Sequence, residues 1–475
     1  MKRMIRLLLV TVFLSSVCFA AEAGHCRFLA ADEVEGKRED KEADSGRTGQ
    51  IDREYLEYYG LDAFASSLPV VYIDTDSRQI ERENKVWASV GILGAKPEAG
   101  ERSIMEEPDT VETATIKMRG ASSYRFDKKQ YRIKFYTKRG NGKAKDYGFL
   151  GMKEDSEWVL NGPFLDKTLL RNRLLYALAG EIFEWAPDTR YCELFLNGRY
   201  QGVYLAVEPV TDGHSRLNLS RYGLLSGETA WLVKRDRIGT EENPIRTYAE
   251  MHGKAQNSLY IDYPSSKKIT DAQRSWIEQD ISRLEYCLYG DGSGFPLRDY
   301  SRYIDMENFA DYFLFNEVAM NHDAGNLSTY IYKDLQDKMK IAVWDYNNAL
   351  DNYQWFKMST DEWYVTDNAW FAQLVRDRDF LDLAVKRYGE LRQDILNEEH
   401  IYALIDGYQE ELGDAIERNF AIWGYTFDES FTNEEERELH SYEEAVEQLK
   451  RTLRERLAFM DEHLEDLYEN CGSYD

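Results

Sequence analysis

The chain has 475 residues, which is too many for one small hydrophobic core, so two or more lobes are expected. Hydrophobic residues make up 43% and aromatic residues 13% of the chain, enough for ordinary globular cores. The formal net charge of -27 argues against a general nucleic-acid binder and against adhesion to an anionic membrane, because phosphate would repel the protein.

The first 23 residues have the pattern of a secretory signal peptide. The basic start "MKRMIR" precedes a short apolar run and then small residues, with cleavage expected after Ala20 or Ala23. This pattern is too short for a membrane-spanning helix. Residues 24–66 are charged and poor in apolar side chains, which predicts a disordered linker. We therefore expect an exported protein, secreted or at the cell surface, with no stable membrane span after signal cleavage.

Cysteine and histidine spacing gives little evidence for a metal site. Export leaves four cysteines, which allow three disulfide pairings that the sequence does not distinguish. Free or buried thiols are the alternative. The four are Cys26, Cys192, Cys287 and Cys471. Because the chain has no Cys-x-x-Cys and no His-x-x-x-His pair, a zinc site is not expected.

Residues 67–210 are predicted to form a β-rich lobe. Alternating apolar and polar residues in "TATIKMRG" and "YRIKFYT" are typical of strands, and "LPVVYIDT" and "EWVLNGP" predict two more. The segment "YCELFLNGRYQGVYLAVEPV" predicts a hairpin with a tight turn at Asn197-Gly198. One helix interrupts the strands, with Asp166 as its predicted N-cap and an end near Trp185.

Residues 211–470 are predicted to form a mainly helical lobe. Helices are predicted in "DAQRSWIEQDISRLEYCLYG", in "DMENFADYFLFNEVAM" and near residues 441–469, and two short strands follow "NHDAGN". The predicted fold class is therefore α+β, with a β-rich N-lobe carrying one inserted helix and a mainly helical C-lobe. That is the bilobal layout of a protein kinase.

The segment from Val318 to Leu350 contains the groups that phosphoryl transfer requires. The reaction needs metal ions on the phosphates and a carboxylate that orients the attacking hydroxyl, and magnesium prefers oxygen ligands. Asp323 follows a helix and can accept a hydroxyl proton, whereas Asn326 offers a neutral oxygen. Asp345 follows a strand 22 residues after Asp323 and is placed as a metal ligand. Turn formation is the alternative, since Asp and Asn hydrogen-bond their own backbone.

Five motifs together resemble the CotH-type kinases, a family named for a spore-coat protein H. The resemblance extends from about Leu68 to Leu467, and its motifs are "KMRGASSYRFDKKQYRIKF", "LDKTLLRNRLLYALA", "LFLNGRYQGVYLAVEPV", "FADYFLFNEVAMNHDAGN" and "AVWDYNNAL". It implies an atypical protein-kinase fold and export or surface association. It also implies transfer of phosphate from ATP, with Mg²⁺ or Mn²⁺, to Ser/Thr of secreted or surface proteins.

The resemblance also assigns roles to residues of the polar segment. Asp323 matches the catalytic aspartate, Asp345 matches the metal-binding aspartate, and Asn326 is implied as a second metal ligand. The sequence departs from the general kinase pattern, because Asn follows the catalytic Asp after three residues rather than five and "DYN" replaces "DFG". Many CotH-type kinases carry a second acid two residues after the metal-binding aspartate, where this chain has Asn347.

The β-rich lobe is then expected to hold the nucleotide. In "RGASS" the small residues Ser122 and Ser123 let the backbone approach phosphate, and their hydroxyls can donate hydrogen bonds. Lys134 is favoured as the phosphate contact because it shares one strand face with Arg132. The alternates, each of which also fits an ordinary surface cation, are Arg119 and Lys129.

The remaining expectations concern the two sides of the nucleotide cleft. Glu181 or Glu184, on the inserted helix, is expected to pair with the phosphate-contacting lysine. Glu208 lies at the expected hinge, where backbone groups would bond adenine. Lys234 and Asp236 follow the hinge and fit either the cleft entrance or, more simply, the end of a surface strand.

Two other functions fit parts of the sequence. A catalytically weak or inactive kinase-fold module could serve adhesion or assembly at a surface, although retention of Asp323, Asn326 and Asp345 together favours an enzyme. A glycoside hydrolase would need two carboxyl groups about 5–10 Å apart in an open cleft rich in aromatic residues. The nucleotide-loop motifs make the hydrolase the least favoured of the three.

Overall fold

A computed structural model describes residues 51–471, with gaps at 96–99, 122, 222, 224–225, 240–243, 291–298, 354 and 429–437. The predicted signal peptide, most of the predicted linker, Cys26 and Ser122 lie outside the described residues. Within the described part, no helix is long and apolar enough to cross a membrane. Cys192, Cys287 and Cys471 are free thiols.

Seven strands of the first half close into a barrel. Parallel pairing of the second and eighth strands closes it, and the other contacts around the barrel are antiparallel, in the order β2-β3-β5-β6-β7-β9-β8. A separate two-stranded sheet pairs β1 with β4. The strands are β1 Ala65–Ser66, β2 Val70–Asp74, β3 Val86–Leu93, β4 Arg102–Ser103, β5 Thr110–Arg119, β6 Gln130–Tyr136, β7 Glu157–Asn161, β8 Thr189–Leu196 and β9 Arg199–Val207.

Alternation of side chains fills the barrel, as the sequence pattern predicts. Ile133 and Phe135 on β6 are fully buried, whereas Arg132 and Lys134, which alternate with them, point to the other face and are half-buried. The predicted hairpin is confirmed. Its turn places Asn197 and Gly198 at φ 49° and 80°, the left-handed conformations that a tight hairpin turn requires.

The inserted helix begins later than the sequence pattern predicts. It spans Arg171–Ile182, with Leu170 at its N-cap position, so the prediction that Asp166 caps it was wrong. Asp166 instead accepts hydrogen bonds from the backbone of Thr168 and Arg171, and its Oδ1 lies 2.6 Å from Nη1 of Arg171. The acid therefore organises the turn before the helix and pairs with a buried arginine.

A second sheet lies in the C-terminal half, where only two short strands are predicted. Its strands are β10 Trp231–Asp236, β11 Ser258–Tyr263, β12 Thr329–Lys333 and β13 Lys340–Ala342, in the order β11-β10-β12-β13. The last two strands form the predicted pair. The prediction gave only a possible surface strand end at Lys234 and Asp236 and omitted β11, because β10 pairs with a strand almost a hundred residues away and local patterns carry no trace of such pairing.

Helices of the described residues lie in both halves of the chain, and those of the C-terminal half contribute most of the largest apolar core. They are α1 Arg53–Tyr58, α2 Arg171–Ile182, α3 Tyr248–Met251, α4 Asp271–Tyr289, α5 Met306–Val318, α6 Phe371–Leu374, α7 Arg378–Gln393, α8 Glu398–Leu412, α9 Ala415–Trp423 and α10 Tyr442–His463. The apolar stripe of the long last helix is buried, with Leu449, Leu457 and Met460 at 0% exposure. The described residues thus form a mixed α+β protein, which confirms the predicted class.

The predicted disordered linker was too long at its C-terminal end. Residues 53–58 form helix α1, and Leu56 packs in a small apolar cluster that includes Phe195 and Tyr200 of the hairpin. The backbone N–H of Asp52 donates to the carbonyl of Gly198 at 2.9 Å. Two buried leucines and this hydrogen bond attach the segment to the barrel. The charged overall composition of the segment gave no indication of this packing.

Candidate functional site

Asp345 follows β13 and is held by neutral donors. Asn347 Nδ2 donates to its Oδ1 at 2.7 Å, and the Ser328 hydroxyl donates to its Oδ2 at 3.2 Å. Its own backbone N–H donates to the hydroxyl of Tyr176 on α2 at 3.1 Å. Asp345 adopts the left-handed conformation (φ 66°), which is uncommon for a residue other than glycine. No lysine, arginine or histidine of the described chain forms an ion pair with this carboxylate.

Amide groups connect the Asp345 segment to the barrel and to the inserted helix. Asn347 Oδ1 accepts from Asn161 Nδ2 at the end of β7 (3.2 Å) and from Asn172 Nδ2 in the first turn of α2 (2.8 Å). Asn172 Oδ1 in turn accepts from the backbone of Tyr346 at 3.1 Å. Asn347, which the sequence indicates as a substitution for an acid, therefore also has a structural role. Its side chain joins three parts of the fold.

Asp323 lies in the turn after α5. Its backbone carbonyl accepts from the N–H groups of Asn326 (3.0 Å) and Leu327 (2.7 Å), and its carboxylate lies 3.1 Å from Nδ1 of His322. Burial raises the pKa of Asp323, but the hydrogen bond and charge of His322 outweigh burial and leave the pKa below its usual value. The side chain is 22% exposed, so the ionised carboxylate remains accessible.

The two aspartates are linked through one short segment, residues 345–348. Asn347 donates to the Asp345 carboxylate, and the side chain of the next residue, Asn348, helps to lower the pKa of the Asp323 carboxylate. The structure therefore brings together the two acids that the sequence analysis selected. Among the described residues, no cluster of three His, Cys, Asp or Glu side chains would hold a metal alone. A divalent cation at Asp345 would need amide, water or phosphate oxygens as further ligands.

Asn326, the predicted second metal ligand, is already engaged in a hydrogen bond. Its Oδ1 accepts from Asn257 Nδ2 at 2.8 Å. A carbonyl oxygen has two lone pairs, so one acceptor position remains for a cation. The contact also fixes the orientation of the amide before any ligand binds.

Arg119, one of the predicted cations, contacts the residue before Asp345. Its guanidinium carbon is 5.4 Å from the ring centre of Trp344, the residue before Asp345, and Nη1 donates to Gln130 Oε1 at 2.9 Å. Gly120 follows with φ 107°, and a Cβ there would clash with the hydroxyl of Ser123 at 2.0 Å. This loop is therefore closely packed where "RGASS" predicts an approach to phosphate.

The other two predicted cations are engaged by protein groups. Lys134 Nζ lies 2.6 Å from Oε1 of Glu157 on β7, and Arg132 binds the same carboxylate. Burial raises the pKa of Glu157, but Arg132 and Lys134 outweigh burial and lower it to about 2. Lys129 Nζ donates to the backbone carbonyls of Tyr124 (3.0 Å) and Phe126 (2.6 Å), which stabilises the loop.

The expected pair between the inserted helix and a barrel lysine does not form. Glu184 lies 2.8 Å from Lys340 at the start of β13, and Glu181 lies 3.0 Å from His400. The prediction of either acid as the lysine partner was wrong, because both lie at the end of the helix that faces away from Asn172 and the Asp345 segment. Glu157, from the neighbouring strand, takes that place beside Lys134.

The hinge acid Glu208 is buried in an ion pair with Arg216. Its Oε1 lies 2.6 Å from Arg216 Nη1, and its Oε2 accepts from the backbone of Asp188 at 3.1 Å. Burial raises its pKa to about 7 in spite of Arg216. Beyond the hinge, Lys234 and Asp236 lie 3.3 Å apart on β10, inside the second sheet rather than at a free strand end.

Sequence reasoning missed the amides that assemble the site. Asn161 and Asn172 are only 5% and 7% exposed. A signal was present for Asn161, which follows three apolar residues in "EWVLN", where a buried amide requires specific partners, whereas Asn172 stands between two arginines in "LLRNRLL" and gave none. His322 and Asn348 flank the two aspartates and carried no signal beyond their position.

Comparison with known proteins places this chain in a family. A family model described as "CotH kinase protein" matches residues 116–460. The chain belongs to the CotH kinase protein family. The match includes every residue that the sequence analysis assigned to the site. A curated relative, inner spore coat protein H of Bacillus subtilis (strain 168), is 21% identical over 233 residues, which cover 49% of this chain and 57% of the relative. The chain thus spans little more than half of that relative's length.

Proposed function

We propose that this CotH family member is an exported, ATP-dependent protein kinase that transfers the γ-phosphate to Ser or Thr of secreted or surface proteins. The observation that carries the proposal is the segment 345–348, in which Asn347 hydrogen-bonds Asp345 and Asn348 lies close enough to Asp323 to lower its pKa. Through Asn347 the same segment is attached to the barrel and to the inserted helix. In this proposal, the segment holds a metal-binding acid and an accepting acid at a junction of the β-rich and helical parts.

The donor set fits a hard divalent cation, Mg²⁺ or Mn²⁺. Asp345 offers a carboxylate without a cationic partner in the described chain, and Asn326 offers an oriented amide oxygen. Asp345 and Asn326 are the residues we assign to hold the ion, which would neutralise charge on the phosphates. Asp323, ionised and accessible, is assigned to orient the substrate hydroxyl and accept its proton.

The contacts of the candidate cations with protein groups indicate which of them is most available to bind the nucleotide phosphates. We assign Arg119 first, because it lies against Trp344 beside Asp345, whereas Lys134 is already paired with Glu157. Ser123 and the backbone after Gly120 are assigned to the phosphates, and the backbone at Glu208 to adenine. In this proposal the barrel and its helix, residues 67–210, act as the nucleotide lobe of a bilobal kinase-like fold. Residues 211–470 act as the catalytic lobe.

Export and substrate class rest on the sequence and on the relative. The N-terminal pattern of residues 1–23 is that of a signal peptide. The relative of Bacillus subtilis is named as an inner spore coat protein, which supports an extracellular or surface-associated setting for this chain as well. A Ser/Thr-rich secreted or surface protein is the acceptor we propose.

Thermal unfolding with ATP and a divalent cation tests the proposal. Wild-type protein from residue 24 onward should be stabilised by ATP with Mg²⁺ or Mn²⁺, and should transfer the labelled γ-phosphate to itself or to a Ser-rich acceptor. Asp345→Ala should lose the metal-dependent stabilisation, whereas Asp323→Ala should keep it and lose transfer. Asp62→Ala, which removes an exposed acid far along the chain from the site, is the matched control and should behave as wild type.

The second candidate is an inactive kinase-fold module for adhesion or assembly. Asn347 favours it, because an amide replaces an acid that many family members carry. Absence of any metal-dependent stabilisation by ATP in the wild-type protein would establish this candidate over the kinase. Stabilisation without transfer would identify a nucleotide-binding module.

A further inference from the structure

His322 stands directly before Asp323, and its ring lies against the carboxylate of that residue. Nδ1 of the ring is 3.1 Å from Asp323 Oδ1, which is within hydrogen-bond distance, and both side chains are partly exposed. An ionised carboxylate offers only acceptors, so Nδ1 is the atom that would carry the hydrogen of this contact. The ring is therefore in a place to fix one oxygen of the acid and leave the rest of the carboxylate accessible.

The backbone around Asp323 is fixed on both sides by one amide. Asn368 Nδ2 donates to the carbonyl of His322 and to the carbonyl of Ala324, each at 2.9 Å. The carbonyl of Asp323 itself accepts from the N–H of Leu327 at 2.7 Å. These bonds set the position of the Cα atom of Asp323 but do not restrict rotation of its side chain. A contact to the carboxylate is needed for that.

Two aromatic side chains pack on the His322 ring. The ring centre of Tyr353 lies 4.8 Å from that of His322, and the ring centre of Phe356 lies 5.8 Å from it, in an edge-on arrangement. The rings of Tyr353 and Phe356 also contact each other, with centres 4.7 Å apart. Tilted and edge-to-face contacts at these distances favour one fixed arrangement of the rings. The imidazole is thus held from the side of this aromatic pair.

The loop that carries the aromatic pair is attached to the Asp345 segment. Asn352 Nδ2 donates to the carbonyl of Asn347 at 2.7 Å. Asp351 Oδ1 accepts from the N–H of Met358 at 2.8 Å, which closes the loop. The rings that support His322 are therefore connected, through a few residues of chain, to the segment of the proposed metal ligand.

We propose that His322 is a positioning residue for phosphoryl transfer: Nδ1–H fixes one oxygen of Asp323, while Tyr353 and Phe356 fix the ring. This inference rests on the proposed function, in which Asp323 orients the acceptor hydroxyl and takes its proton. A base acts only within hydrogen-bond distance of that proton, so a carboxylate that rotates away loses part of its effect. Removal of the ring should therefore slow transfer without weakening the binding of ATP.

Nitrogen NMR of the histidine rings tests the contact without any turnover. In the wild-type protein without ATP or metal, Nδ1 of His322 should carry a hydrogen. The spectrum of His322→Asn identifies the His322 signal among those of the seven histidines. Asp323→Ala should remove the preference for a hydrogen at Nδ1. A bare Nδ1 in the wild-type protein would overturn the inference, whether or not the protein is a kinase.

Steady-state kinetics with ATP and a Ser-rich acceptor measures the effect on the reaction. His322→Leu should lower kcat about tenfold or more and leave KM for ATP unchanged. His322→Asn should recover most of the loss, because Nδ2 of the amide takes the place of Nδ1. His440→Leu, which removes an exposed histidine just before α10, is the matched control and should behave as wild type.

The outcomes separate this inference from the proposed function. Absence of transfer by the wild-type protein would overturn the kinase proposal, and this inference with it. Transfer by the wild-type protein with an unchanged kcat in His322→Leu would overturn the inference alone. Failure of His322→Asn to recover activity would assign the loss to packing of the ring and would also overturn it.

Discussion

Two carboxylates of the C-terminal half, Glu317 and Asp345, have opposite environments. Glu317, near the end of α5, is fully buried and accepts from Arg456 Nη2 at 2.7 Å and from the backbone of Tyr364 and Val365 at 2.9 and 2.7 Å. Asp345 is half-buried, and only an amide and a hydroxyl donate to its carboxylate. A carboxylate neutralised by arginine has a structural role. One held by neutral donors keeps its charge for a ligand.

The largest expected effect comes from breaking the neutralised pair. Arg456→Met leaves Glu317 buried without its cation and should lower the free energy of unfolding by about 3–5 kcal/mol. Urea denaturation measures this loss directly. Arg451→Met, at an exposed position of the same helix, is the matched control and should change stability by less than about 0.5 kcal/mol. Equal effects of the two variants would show that the Glu317 pair contributes nothing particular.

The second effect concerns the unneutralised acid. Asp345→Asn keeps the shape of the side chain and removes a charge that no cation of the described chain compensates, so intrinsic stability should change by less than about 1 kcal/mol. Wild-type protein should gain about 2.7 kcal/mol at an ATP–Mg²⁺ concentration one hundred times Kd. The variant should lose this gain. A large loss of stability in the absence of ligand would instead show that Asp345 has a structural role.

A smaller effect should follow from restoring the missing acid. Asn347→Asp removes the hydrogen bond donated to Asp345 and sets a second negative charge beside it, so the metal-free protein should lose about 1 kcal/mol of stability. Adding Mg²⁺ should recover the loss, since two carboxylates bind the ion better than one. Asn348→Asp, one residue along, is the comparison. If Mg²⁺ fails to stabilise Asn347→Asp more than wild type, Asn347 is not at the metal position.

The smallest effect is expected for Glu208, whose environment is intermediate between those of Glu317 and Asp345. The effect is a change in the pH dependence of stability. Its pKa in the folded protein is about 7, above its usual value of 4.5, because burial outweighs Arg216. The folded protein therefore holds this proton more tightly than the unfolded chain, and stability should fall as pH rises from about 4.5 to 7 and stay level above. Glu208→Gln should flatten this slope in urea denaturation at pH 5 and pH 8. An unchanged slope would assign it to other groups.

Local patterns in the sequence predicted six of the seven barrel strands, all but β3, together with the Asn197-Gly198 hairpin and the apolar stripe of α10, because these features depend on neighbouring residues. Closure of the barrel could not be predicted from local patterns, since the parallel pairing of β2 with β8 joins segments more than a hundred residues apart. The N-cap prediction at Asp166 failed for a related reason. An arginine five residues on competes for the same carboxylate as the backbone.

The two site aspartates were selected by their position after a helix and after a strand, and the structure links them. The groups that link them were not predicted, because Asn161 and Asn172 reach Asn347 only through tertiary packing. The same limit explains the wrong partner for Lys134. A helix acid was expected, but strand pairing sets Glu157 directly opposite Lys134.

Closure of the barrel has a consequence for how this protein meets others. All seven of its strands have two neighbours, so the barrel offers no free backbone edge to an extended peptide or to a second copy of the chain. Pairing with a foreign strand is instead open to the four-stranded sheet, whose outer strands are Ser258–Tyr263 and Lys340–Ala342. The barrel is thereby protected from fibril-like self-association, and within the described residues any such tendency is limited to the edges of the four-stranded sheet and of the two-stranded β1–β4 sheet.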